Sequence, residues 1–123
     1  MHRILIVEDE LRLATFIEKG LKKNGFVTAI APDGNQALSM AQSGNFDLLL
    51  LDLGLPSLDG WAVLKTLRSE SNNQPIIIVT ARADDKDRQM AKAYGANDYV
   101  TKPFKFADLL ERVQLHLSKE QVT

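Results

Sequence analysis

The chain has 123 residues, 45% of them apolar, which suits one domain with its own core and not two. It has no cysteine and only two histidines, His2 and His116, so disulfide frameworks, thiolate chemistry and a histidine-built metal centre are excluded. Fifteen basic against sixteen acidic residues leave a net charge of -1, which gives the chain no electrostatic case for gripping nucleic acid.

At the N-terminus, Met1-His2-Arg3 precede only four apolar residues before Glu8-Asp9-Glu10, too few for a secretory leader. No apolar run approaches the roughly 20 residues of a membrane span. The expectation is a cytoplasmic protein with no membrane contact. Ile4-Leu5-Ile6-Val7 reads as a strand covered on both faces. Leu13, Phe16, Ile17 and Leu21 then form a helical stripe, stopped by Asn24-Gly25. A second strand spans 27–30. The next helix is opened by Pro32-Asp33, carries Ala37, Leu38 and Ala41, and stops at Gly44.

Four leucines, Leu48–Leu51, predict the third strand, followed by a helix marked by Trp61, Leu64, Lys65 and Leu67. Residues 76–79 predict the fourth strand. The helix expected over 84–94 has only Met90, Ala91, Ala93 and Tyr94 as apolar members, so little packing energy holds it. Tyr99-Val100 is a weaker strand. Phe106, Leu109, Leu110, Val113 and Leu117 form the last and cleanest helical stripe. A domain over 1–117 follows, with 118–123 as a frayed polar tail or the start of a linker. Five strand–helix alternations predict an α/β fold, a parallel sheet with helices on both faces.

Ligands of such sheets bind beyond the carboxyl ends of the strands. Those ends are Glu8-Asp9, Asp52, Thr80 and Lys102. A lone carboxylate there is as often a cap or turn former. Three in one pocket repel one another and call for a cation or a proton. Oxygen donors without sulfur or imidazole favour Mg²⁺, which suits phosphoryl chemistry. Asp52, held behind an apolar strand, is the best nucleophile candidate. Asp9 and Glu8 would hold the metal, Lys102 would offset charge on the transferring oxygens, and Thr80 would donate a hydrogen bond to them. The sequence leaves open whether the Lys102-Pro103 bond is cis.

Taken together, Ile4-Leu5-Ile6-Val7-Glu8-Asp9, the stretch 52–60 (Asp-Leu-Gly-Leu-Pro-Ser-Leu-Asp-Gly), Thr80-Ala81-Arg82, Gly95-Ala96-Asn97-Asp98-Tyr99 and Lys102-Pro103-Phe104 resemble a response-regulator receiver domain. The resemblance implies a flavodoxin-like sheet of order 2-1-3-4-5, phosphorylation on Asp52 by a sensor histidine kinase, and Mg²⁺ held by Glu8, Asp9, Asp52 and the Gly54 backbone carbonyl. It makes Thr80 and Tyr99 a switch pair. It also implies no activity on an external substrate, only gain and loss of the protein's own phosphoryl group.

A closer similarity is to receivers of OmpR/PhoB type, which carry a DNA-binding domain and dimerise through ion pairs between copies. The matching positions are Arg88 with Asp108 and Asp98 with Arg112. Gln114 and Asn97 depart from that pattern, and Gly54 stands where many relatives have a larger side chain. The alternatives are a stand-alone receiver acting by protein contact and a Mg²⁺-dependent aspartyl-phosphate phosphatase. Gly54 argues against the phosphatase, because it occupies the position where such enzymes carry their second Asp.

Overall fold

A computed structural model describes residues 1–121, with side chains through Ser118. In chain order it contains β1 (Arg3–Val7), α1 (Leu11–Lys23), β2 (Val27–Ala31), α2 (Gly34–Gln42), β3 (Leu48–Leu51), α3 (Gly60–Ser69), β4 (Ile76–Thr80), α4 (Asp85–Ala93), β5 (Asp98–Thr101) and α5 (Phe106–Gln121). The strands form one parallel sheet in the order β2-β1-β3-β4-β5. This is the expected flavodoxin-like order.

Alternation along the strands divides the core in two. Leu5, Val7, Leu49, Leu51, Ile76 and Ile78 face one side, packing with Ala37 and Ala41 of α2 and with Val63, Leu64 and Leu67 of α3. Ile4, Ile6, Leu48, Leu50, Ile77 and Val79 face the other, against Ile17 and Leu21 of α1 and Leu109 and Val113 of α5. Each such side chain contributes about 1.5–3 kcal/mol by leaving water. β1, β3 and β4 can be apolar on both faces because helices cover both.

Three expectations change. β2 is half-buried over Val27–Ile30 rather than covered on both faces, because it is an edge strand. Phe16 is 52% exposed. Ala14 takes the buried place in α1, and Phe16 meets the Phe106 ring edge-on at 6.0 Å. The last helix does not end with its apolar stripe at Leu117 but continues to Gln121, while the rest of the predicted tail, 122–123, lies outside the described residues. α4 is as thinly packed as its composition implies, since only Ala91 of it is buried.

The register sets up the rim. Val7 lies opposite Leu51, so the residues that follow, Glu8 and Asp52, leave the sheet side by side. Thr80 lies opposite Thr101, so Lys102 emerges next to it.

Candidate functional site: an acidic cluster closed by a lysine

Glu8, Asp9 and Asp52 each offer one carboxylate oxygen within 4.8 Å of the others'. Glu8 and Asp52 are buried, Asp52 being 8% exposed, whereas Asp9 faces solvent. The Lys102 ammonium reaches over from the loop after β5. It donates to Glu8 Oε1 at 2.6 Å and to Asp52 Oδ2 at 3.0 Å. The Lys102-Pro103 bond, open from the sequence, is cis. Backbone N–H groups complete the shell: Glu10 donates to Glu8 Oε2 at 3.1 Å, and Gly54 to Asp52 Oδ1 at 3.3 Å.

Among the described residues the charges do not balance, since the one lysine bonded into a cluster of three carboxylates reaches only Glu8 and Asp52. Burial pushes the Glu8 carboxyl above its usual range, and it outweighs the bonds from Lys102 and the Glu10 N–H. Burial acts to lower the Lys102 ammonium, but its bonds to Glu8 and Asp52 raise it overall, so it stays charged. Both groups hold their protons more tightly than in water, as a site short of positive charge should. A small hard cation fits that deficit: the donors are all oxygen, and the cluster is open to solvent on the Asp9 side.

Thr80 is buried at the end of β4, and its Oγ1 accepts a long 3.5 Å bond from the Arg82 N–H. Tyr99 is half-buried and donates its hydroxyl to the Arg82 carbonyl at 2.9 Å. The backbone of Arg82 thus touches both residues of the expected switch pair. The Arg88 guanidinium stands 4.9 Å from the centre of the Tyr99 ring and donates to Thr101 Oγ1 at 2.6 Å.

The four residues expected to pair between copies lie on the α4, β5 and α5 side of the domain. Arg88, Asp108 and Arg112 line one groove of about 490 Å³ there. Asp98 and Arg112 already meet within one copy, Arg112 Nη1 donating to both Asp98 oxygens at 2.8 and 3.0 Å. His116, which belongs to no motif in the sequence, is only 8% exposed and bonds the same carboxylate at 2.9 Å. Burial would raise Asp98, yet His116, Arg112 and the Tyr99 N–H hold it below the usual carboxylate range. A histidine on a helix face next to an acidic strand residue was visible in the sequence only to a reader who already knew that α5 covers β5.

Comparison with known proteins agrees with this geometry. Residues 4–114 match the model of the response regulator receiver domain. The chain is 37% identical over 119 residues to the transcriptional regulatory protein PcoR of Escherichia coli, covering 97% of this chain and 53% of PcoR. The chain spans about half the length of the curated relatives it matches. The receiver domain of Francisella response regulator 1452 superposes with a TM-score of 0.94 at 32% identity, over 98% of this chain and 99% of that one. The receiver domain of the sensor histidine kinase PA1611 of Pseudomonas aeruginosa PAO1, solved with a magnesium ion coordinated in its active-site cleft, gives a TM-score of 0.87 at 37% identity over 95% and 98%. The sheet order, the acidic rim with its lysine and these matches together make the chain a member of the response regulator receiver domain family of two-component signalling.

Proposed function

We propose that the chain is the phosphoacceptor of a two-component pathway in the cytoplasm, taking a phosphoryl group on Asp52 from a sensor histidine kinase. The observation that carries this reading is the contact of Lys102 with both Glu8 and Asp52 at the mouth of the cluster. An Asp52 carboxylate oxygen forms a bond to phosphorus as the P–N bond to the donor histidine breaks, and the departing imidazole keeps the electron pair and takes up a proton. Glu8, Asp9, Asp52 and the Gly54 carbonyl would hold Mg²⁺, which supplies positive charge to the phosphoryl oxygens when bound. Lys102 meets the same charge from the other side, and Thr80 donates its hydroxyl hydrogen bond to it. The acyl phosphate is later lost to water, and no external substrate is turned over.

Incubation with acetyl phosphate and Mg²⁺ should add one phosphoryl group by intact mass, and a chelator should prevent it. Wild type that stays unmodified overturns the reading. A Cβ on Gly54 would meet nothing within 4 Å, so that flank of the site is open to water. Gly54→Met should therefore lengthen the lifetime of the Asp52 phosphate several-fold, read as the decay of the phosphorylated mass. An unchanged lifetime would show that the open flank at Gly54 does not govern loss of the phosphoryl group.

Phosphorylation is proposed to move Thr80 and Tyr99 and to bring two copies together through Arg88, Asp98, Asp108 and Arg112, driving a DNA-binding output carried outside this chain. Asp98 already has Arg112 within its own copy, so dimer formation exchanges ion pairs instead of adding them. Exposed pairs of this kind are worth about 1 kcal/mol or less, which suits an association that appears only on demand. Sedimentation with a beryllofluoride phosphoryl mimic should turn monomer into dimer. Arg112→Glu should weaken the dimer, and adding Asp98→Lys should partly restore it. No rescue means the pair does not bridge the copies.

A further inference from the structure

Gly34 and Gly60 share an uncommon feature. Neither has a positive φ, unlike Gly25, Gly44 and Gly95, so conformational freedom is not what glycine supplies at these two positions. What it supplies is room. A Cβ on Gly60 would overlap the Asp52 carbonyl oxygen and the Leu53 Cα, and a Cβ on Gly34 would overlap the Leu58 carbonyl oxygen. Both residues are buried, and each is the first residue of its helix.

These contacts form a continuous stack of backbone. The start of α2 rests on the 56–58 turn through Gly34, whose N–H donates to the Pro56 carbonyl at 3.3 Å. The Leu58 N–H donates to that same carbonyl at 2.8 Å. Asp59 then caps α3 by accepting from the Ala62 N–H at 2.9 Å, which ties the turn to the helix. Gly60 closes the stack on Asp52 and donates to the Leu53 carbonyl at 2.9 Å. Close-packed backbone transmits displacement, because it has no side-chain rotamer with which to absorb it.

We infer that Gly34 is a positioning residue for Asp52, acting through the Leu58–Gly60 backbone although it lies on a different helix and touches neither the acids nor Lys102. The inference rests on the proposed role of Asp52 and its metal. Any side chain at position 34 overlaps the Leu58 carbonyl, two residues before the Gly60 that lies against Asp52. A misplacement of about an ångström at a reacting group is enough to cost up to 100-fold.

The test compares Gly34→Ala with Asp33→Ala in the full chain. Asp33 caps α2 at the neighbouring position, through the Gln36 N–H at 2.8 Å, and its carboxylate also accepts from Ser57 of the turn, so its loss loosens the helix end and the turn without inserting an atom into the stack. Mg²⁺ affinity is read by calorimetry, and phosphorylation by acetyl phosphate is read by mass. Gly34→Ala should bind Mg²⁺ about tenfold more weakly and phosphorylate about tenfold more slowly. Asp33→Ala should melt at a lower temperature yet stay within twofold of wild type in both. Equal losses in the two variants, or a Gly34→Ala affinity within twofold of wild type, overturn the inference. Wild type that binds no Mg²⁺ would instead defeat the reading of the site itself. If Gly34→Ala fails to fold, the wild-type Gly34 amide resonance decides: it should shift on Mg²⁺ saturation, and a static resonance overturns the proposal.

Discussion

Asp52→Asn should abolish phosphoryl incorporation while leaving the domain folded. An amide oxygen carries no full negative charge, and the amide nitrogen's lone pair is delocalised, so no acyl phosphate forms. The side chain keeps its shape and an oxygen that accepts from Lys102, so one hydrogen bond of the cluster survives. Asparagine also removes one of three crowded carboxylates, which offsets much of the weakened lysine contact. Stability should therefore change by no more than about 1 kcal/mol, with an unaltered circular dichroism spectrum. Intact mass after acetyl phosphate treatment is the measurement. Incorporation at the wild-type rate would place the acceptor elsewhere.

Lys102→Met should have two separate effects. The metal-free domain should lose about 2–4 kcal/mol in denaturant unfolding, because Glu8 and Asp52 stay buried without their counter-charge. The loss should depend on pH. The Glu8 carboxyl is already raised by burial, so its folded form holds a proton that the unfolded chain releases near 4.5. That contribution is fully present below about 4.5 and disappears as pH rises through the higher folded value. Removing the lysine raises the folded value further, so the variant's deficit should be small near pH 4.5 and full at neutral pH.

Mg²⁺ should also rescue the variant more than it stabilises wild type. It no longer competes with an ammonium for the Glu8 and Asp52 oxygens, and ligand at 100 times its Kd adds about 2.7 kcal/mol. Phosphorylation should nevertheless slow by about 10²–10³-fold at saturating Mg²⁺, since one electrostatic partner of the transferring group is gone. A variant as stable as wild type and no more responsive to Mg²⁺ would show that Lys102 does not balance the cluster.

The sequence disclosed those parts of the molecule that follow from periodicity and strand ends. Apolar runs located all five strands, and the residues just past them proved to be the rim, because a parallel sheet delivers all its carboxyl ends to one side. What stayed hidden depends on which element lies beside which. β2 looked fully covered until its edge position was known. Phe16 fell on a buried stripe by spacing, yet the helix turns it toward Phe106 and solvent. Asp98 and Arg112 were matched across two copies, and they also meet within one; identical chains leave a sequence no means of separating those cases. Gly34 gave no signal at all, because its importance lies in the backbone of a loop some twenty residues on.

α4 is anchored very unevenly. Its carboxyl end sits beneath a knot: Tyr94 lies edge-on to Trp61 at 6.0 Å with the Lys65 ammonium 4.3 Å above its ring. Arg68 donates to the Gly95 carbonyl and Asn97 Oδ1, both at 2.9 Å. The other end has its own Asp84 cap and a loose 3.9 Å contact between Arg82 and Asp87. Between those ends one side chain, Arg88, ties the amino half of α4 to β5, through a 2.6 Å bond to Thr101 and the face of the Tyr99 ring. A change in the position of Tyr99 or Thr101 would therefore reach α4 through a single arginine, against a carboxyl end held by several contacts.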